Sequence, residues 1–326
     1  MAIEFIGMIG VRPEGADGAA VHVIGGEIDM AWVREFSQAH ERAGFDKVLV
    51  GYTSASADGF LVSAYAAAHT ERLGYLLAHR PGFVAPTLAA RKAATLDQLS
   101  GGRVILGVGT GAYREEYEAL FPDARGVRRG TIVDEGMQAL RLLFTERRAT
   151  FRGEAVHFEE VECFPKPVQR PMPIYAGGNH PEVRRRAGQY AQGWMPAVLL
   201  PEEIARGIDD IHRAAAGAGR DGSAIDIAPQ FAVSIGRTHD EAVARFRGSQ
   251  LFQHLESLKK STLREQTGGF DARNLIGSPA EISERIRAYA RVGVTTFAGM
   301  LFVANTVTEM QEAIELFGQE VLPNFR

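Results

Sequence analysis

Residues 79–108 read HRPGFVAPTLAARKAATLDQLSGGRVILGV. An apolar run, Leu73 to His79, comes just before this stretch and ends in it, reading as a β-strand that closes on a stiff cationic turn, His79-Arg80-Pro81-Gly82. Pro86 then suits the first turn of a helix, which runs on to Leu99 in residues of good helix propensity. Gly101-Gly102 stops it, and Val104 to Val108 is a second short apolar run. Strand, helix and strand in this order form a βαβ unit, which demands a parallel sheet.

The same alternation recurs on both sides. Strands are expected at residues 3–9, 47–50, 173–176, 193–195, 225–235 and 295–300, besides 73–79 and 104–108. Helices are expected at 30–43, 60–71, 86–99, 130–143, 182–190, 201–218, 240–255, 279–292 and from 307 to about 317. In the first helix Trp32, Phe36, Ala39 and Ala43 recur at helical spacing, with Asp29 as N-cap and Gly44 just past the end. Residues 149–162 alternate like a β excursion, and 256–274 read as an inserted polar loop near one end. The pattern predicts an α/β protein, a (β/α)8 TIM barrel with insertions at its C-terminal mouth, in a single domain spanning 1–326.

Composition narrows the partners. With 45% hydrophobic residues the chain can bury a large core, and a net charge of -4 gives no surplus for nucleic acid or anionic lipid, so a small-molecule substrate is expected. The lone Cys163 rules out an internal disulfide, and no apolar run approaches a membrane span. A cytoplasmic location is the expectation. The nine histidines show no close metal-binding spacing, so no metal site is expected, and Ser54 and Ser56 lack the setting of a serine hydrolase.

In a barrel of this kind, function gathers at the C-terminal ends of the strands. The candidates are therefore Tyr52 to Asp58 after the second strand, His79 and Arg80 after the third, Gly107 to Arg114 after the fourth, and Ala176 to His180 after the fifth. Gly177-Gly178-Asn179 ahead of a helix exposes backbone N–H groups that suit a phosphate, although such glycine turns also link strands and helices without binding anything. The glycines at 107, 109 and 111 lack the spacing of a dinucleotide fold. His79 reads as a base, a ring-contacting donor or a satisfied strand-end histidine, and Arg80 as an anion holder or a brace for its turn. The run Arg184-Arg185-Arg186 reads as a solvated helix face, and Trp194 as core packing or a pocket wall.

The opening stretch resembles the signature of the bacterial luciferase-like flavin-dependent monooxygenases, nearest the alkanesulfonate monooxygenase branch. The resemblance extends through ERAGFDKVLV (41–50), PIYAGGN (173–179) and IGSPAEISERIRAYARVGVTTF (276–297). It implies an oxidoreductase that uses reduced FMN, supplied by a separate flavin reductase, and molecular oxygen to oxidise a small organic substrate. Coenzyme F420, exchanging a hydride without oxygen, is the alternative. By resemblance the cofactor would touch Tyr52, Leu77, Ala78, His79, Thr110, Gly111, Gly177, Gly178 and Asn179, with His79, Ser56 and Arg80 nearest the chemistry. It further implies a cis peptide at Leu77-Ala78 and a homodimer packed through the early helices, where Phe60, Leu61, Ala64 and Ala68 exceed what one buried face needs. Sulfonate recognition is not implied. Ser56 stands where that branch carries a cysteine, Gln230 and Ala232 where it carries an arginine and a histidine, and an apolar segment over 301–305 where it has a tyrosine and a histidine.

Overall fold

The computed structural model describes residues 3–9, 28–51, 56–111, 126–249, 251–253, 256 and 269–326. The elements follow in alternation: β1 (Glu4–Met8), α1 (Met30–Ala43), β2 (Lys47–Val50), α2 (Gly59–Ala67), β3 (Gly74–His79), α3 (Pro86–Ser100) and β4 (Val104–Val108). After α4 (Arg129–Thr145) a hairpin, β5 (Ala149–Arg152) and β6 (His157–Val161), leaves the main sheet. Then come β7 (Ile174–Gly177), α5 (Pro181–Tyr190), β8 (Gly193–Met195), α6 (Pro201–Gly217), β9 (Asp226–Ile227) and β10 (Gln230–Ile235). The chain closes with α7 (His239–Arg247), α8 (Phe270–Arg273), β11 (Leu275–Gly277), α9 (Pro279–Arg291), β12 (Thr296–Phe302) and α10 (Val307–Glu320).

The main sheet is parallel throughout, in the order β11-β10-β12-β1-β2-β3-β4-β7-β8-β9. Only Ala228 and Pro229 separate β9 from β10. On one side this continuous strand meets β8, through Ala228 N–H to Trp194 O at 2.8 Å and Gln230 N–H to Pro196 O at 2.8 Å. On the other it meets β12, through Ala298 N–H to Pro229 O at 2.9 Å. Taking β9 and β10 as one strand, the sheet closes into a barrel. Leu275 to Gly277 adds a strand on the outer edge of β10, in a stretch that the sequence pattern leaves unassigned between the inserted loop and the helix from Pro279.

Strand alternation divides the core. Ile6, Leu49, Leu76, Ile105, Tyr175, Met195, Ala228 and Ala298 pack inside the barrel, whereas their neighbours Val48, Val50, Tyr75, Leu77, Val104, Leu106 and Ile174 pack against the surrounding helices. The lower end of the interior is polar: Tyr175 donates its hydroxyl to Asp226 at 2.6 Å, and Lys47 pairs with Glu4. Capping behaves as the sequence suggested, with Asp29 accepting from Trp32 N–H at 3.0 Å and Gly44 left-handed at φ 92°. No helix among the described residues is long and apolar enough to cross a membrane.

Two expectations fail. The Leu77-Ala78 peptide is not among the cis bonds of the described residues, which are Phe164-Pro165 and Arg170-Pro171. β3 pairs with β2 and β4 without a register shift, so the strand runs as a regular trans ladder. Nor is the arginine run a solvated face. Arg186 is buried on Asp134 of α4, Arg185 reaches the same carboxylate at 2.8 Å, and Arg184 pairs with Asp210 of α6 at 2.7 Å. Because α5 packs between α4 and α6, its charged side is a seam between helices.

Candidate active site

All barrel strands run the same way, so the loops after β2, β3, β4 and β7 share one end. The upper inner layer at that end is made of very small residues. Ala78 pairs with Gly107, and Gly177 pairs with Met195 one strand further on. A Cβ on Gly107 would come within 3.2 Å of Met195 Cε and within 2.8 Å of Leu76 Cδ2. A Cβ on Gly109 would meet Gly177 O at 3.3 Å. Larger residues would fill this layer; as it stands, Met195 lies across a shallow floor with half-buried Ala78 and Gly177 opening to the mouth. Gln230 forms part of the inner wall beside Gly299, whose φ of 54° and missing Cβ make room for the carboxamide, with Gln230 Oε1 3.1 Å from where that Cβ would stand. Sequence reasoning overlooked Met195 as a mouth residue and reached Gln230 only through the family resemblance, because only strand register shows which way they face.

His79 is brought to this end but on the other side of its strand. Since Leu76 faces inward and Leu77 outward, Ala78 faces the interior and His79 follows Leu77. Its ring meets Phe60 of α2 edge-on at 6.3 Å. Burial, and then the Lys92 charge, pull its pKa down to about 4, so it stays neutral at physiological pH. Lys92 pairs with Asp58 at 2.8 Å and lies over the Phe60 ring at 5.3 Å, while Asp58 also caps α2 through Phe60 N–H at 3.0 Å. His79, Phe60, Lys92 and Asp58 thus form one cluster between β3, α2 and α3.

Arg80 crosses to the β4 loop. A Cβ on Gly111, which is left-handed at φ 72°, would lie 2.9 Å from Arg80 Nε, so glycine lets the guanidinium lie flat on that backbone. Phe83 supports Arg80 from 5.4 Å, and Arg129 donates to Thr110 O at 3.4 Å. Thr110 and Gly111 therefore sit among two cationic side chains. Ser56 is half-buried at the foot of α2; Tyr52 lies outside the described residues.

The loop after β7 is less open than its glycines suggest. Gly178, at φ 126°, donates its N–H to Met195 O at 3.0 Å and accepts Trp194 Nε1–H at 2.9 Å. Asn179 clasps Ala197 both ways, its Oδ1 accepting from Ala197 N–H at 2.8 Å and its Nδ2 donating to Ala197 O at 2.9 Å. At the start of α5, Pro181 has no N–H and Glu182 N–H is taken by His180 Nδ1 at 3.2 Å. That leaves the backbone N–H groups of Asn179 and His180 as the open donors, one residue further along than the glycines.

The chain matches the family model of the luciferase-like monooxygenases over residues 4–296. It belongs to that family and is an oxidoreductase. It is 29% identical over 331 residues to an FMNH2-dependent dimethylsulfone monooxygenase of Pseudomonas putida, covering 91% of this chain and 88% of the relative. Among solved structures, a monooxygenase from Streptomyces bottropensis superposes with a TM-score of 0.79 at 21% identity, over 99% of this chain and all of the other. A coenzyme F420-dependent tetrahydromethanopterin reductase from Methanopyrus kandleri superposes at 0.76 and 21% identity, over 100% and 99%. At such identities the superpositions speak for the fold. The luciferase-like barrel expected from residues 79–108 is therefore the barrel found.

Proposed function

We propose that this chain is a monooxygenase that binds reduced FMN, delivered by a separate flavin reductase, and uses molecular oxygen to oxidise a small organic substrate. The observation that carries the reading is the upper inner layer of Ala78, Gly107 and Gly177 with Met195 across it, a floor of small residues that an added Cβ at Gly107 would crowd and that suits one face of a planar tricyclic ring. The 29% identical relative, itself FMNH2-dependent, supports the choice of flavin. When bound, reduced FMN supplies the two electrons with which oxygen is divided between substrate and water.

The chain's own residues have separate tasks. Ala78, Gly107 and Gly177 receive the ring, and Leu77 acts from behind as outer-layer packing for β3. Backbone N–H groups of Asn179 and His180, at the positive end of α5, receive the phosphate, beside Gly177 and Gly178. Arg80, Thr110, Gly111 and, by sequence position, Tyr52 and Ser56 border the substrate. Gln230 offers an uncharged donor and acceptor at the inner wall. His79, neutral and turned toward Phe60, keeps β3 and α2 in register behind the ring; it can exchange a proton only as neutral imidazole. The outward faces of α2 and α3, with Leu61, Leu88 and Leu99 exposed, are the proposed homodimer contact, and the enzyme is proposed to work in the cytoplasm.

The second reading is a deazaflavin-dependent oxidoreductase acting without oxygen; it is favoured by the fold shared with the Methanopyrus kandleri enzyme. Titrating the protein with reduced FMN, oxidised FMN and F420 in parallel tests both. Tightest binding of reduced FMN supports the monooxygenase, tightest binding of F420 replaces it with the second reading, and binding of none overturns both.

A further inference from the structure

Val198, in the loop from β8 to α6, is buried and left-handed at φ 57°. A β-branched side chain strongly disfavours this region, and such a residue stays there only where its surroundings over-determine the backbone. They do so here from several elements. Pro196 O accepts from Gln230 N–H at 2.8 Å, and Val198 N–H donates to Gln230 O at 3.0 Å. Asn179 holds both polar groups of Ala197. Arg273 Nη1 donates to Val198 O at 3.2 Å, and Tyr289 Oη–H donates to Leu199 O at 2.8 Å. Leu200 N–H ends on Glu203 Oε2 at 2.7 Å.

The turn is thus held from the β7 loop, from β10, from α8 and from α9 at once. Of these holds, the Asn179 clasp joins it to the backbone proposed to receive the cofactor phosphate. We propose that Asn179 is a positioning residue: its carboxamide keeps Val198 in the strained turn, and the turn in return fixes the height of the Asn179 and His180 N–H groups at the mouth. Asn179 then acts through Ala197 and Val198, and its side chain does not touch the cofactor. The cofactor half of this proposal rests on the flavin reading above.

Glycine adopts the left-handed region freely, so it supplies the test. If Asn179 serves to hold a strained Val198, then Asn179→Ala should weaken reduced FMN binding about tenfold in the wild-type background and less than threefold in a Val198→Gly background. Unfolding midpoints of the four proteins should show the same rescue, with the loss caused by Asn179→Ala smaller once Val198 is glycine. Should Asn179→Ala fail to fold, Tyr289→Phe removes a single hydroxyl from the same turn and should show the same dependence on Val198→Gly with smaller effects. Equal losses in both backgrounds overturn the proposal, because an Asn179 that contacts the phosphate or merely braces its own loop is indifferent to the strain at Val198. If the wild type binds neither FMN nor F420, the flavin reading falls and takes the cofactor half with it. The unfolding midpoints still decide the clamp in that case, additive losses overturning it.

Discussion

Removing the Glu203 carboxylate takes a two-pronged partner from a buried cation. Arg273 is 2% exposed at its side chain and forms a two-pronged pair with Glu203, Nη1 to Oε2 at 2.5 Å and Nη2 to Oε1 at 2.9 Å. Breaking a buried pair from one side costs about 3–5 kcal/mol, because the remaining charge loses its compensation. Glu203 is 24% exposed, so water can reach the vacated place and the lower figure applies. An unfolding entropy of about 2.1 cal/mol/K per residue gives roughly 0.7 kcal/mol/K for a chain of 326 residues. Glu203→Ala should therefore lower the unfolding midpoint by about 4 °C. Glu203→Gln, which keeps an acceptor for Arg273 and Leu200, should lower it by about half as much. The loss should also depend on pH. Burial raises the Glu203 pKa, but the bonds from Arg273 and Leu200 outweigh it and hold the carboxyl below its usual range. A group whose folded pKa is depressed stabilises fully above the unfolded value and loses that contribution as pH falls through the folded one. Differential scanning fluorimetry from pH 7 down to about 3 should thus show the gap between wild type and Glu203→Ala holding to about pH 4.5 and narrowing below it. A drop under about 1 °C at pH 7, or a gap that stays constant into acid, would refute the reasoning.

Burial pulls His40 down to about 4 against the bond that its Nδ1 makes to Phe36 O. The unfolded chain then takes up the proton first, so urea unfolding should show stability falling as pH drops from about 6.5 toward 4, with a shallower fall in His40→Leu. Gly178→Val places a β-branched residue at φ 126° with Val183 only 3.3 Å from its Cβ. It should cost FMN affinity more than riboflavin affinity, and wild type should favour FMN by about tenfold; equal wild-type affinities measured by fluorescence quenching would remove the phosphate site. Leu61→Glu with Leu99→Glu, both on exposed positions of α2 and α3, should shift sedimentation from dimer to monomer while the far-UV spectrum stays native, and a wild type that is monomeric at micromolar concentration would contradict the proposed contact.

The fold was legible because two periods alternate cleanly. α1 spans Met30–Ala43 as read from Trp32, Phe36, Ala39 and Ala43, and α3 and α9 begin at the prolines, Pro86 and Pro279, that mark their first turns. Boundaries slipped where no cap fixes them. α2 ends at Ala67 although apolar character continues to Ala68, and α7 ends at Arg247 before Gly248, well short of the expected Leu255. β11 was hidden because Leu275 to Gly277 is too short to show alternation and is identified only by its pairing with β10.

The site was legible by position and much less so by direction. Placing His79, Arg80, Thr110 and Gly177 at one end of the barrel needed only the order of strands. Deciding which of them face the interior needed the phase of each strand, and one residue of phase carries a side chain to the opposite face. In β3 that phase gives the inner side to Ala78 and directs His79 toward α2, so the small residue takes the place next to the proposed ring and the titratable one stands behind it. Glycine-rich loops mislead for a related reason. The motif announces freedom of the backbone, and at Gly178 that freedom is spent on bonds to Met195 and Trp194. What the loop has left to offer a ligand are the N–H groups of Asn179 and His180, whose placement depends on a valine nineteen residues beyond Asn179 that no local motif connects to them.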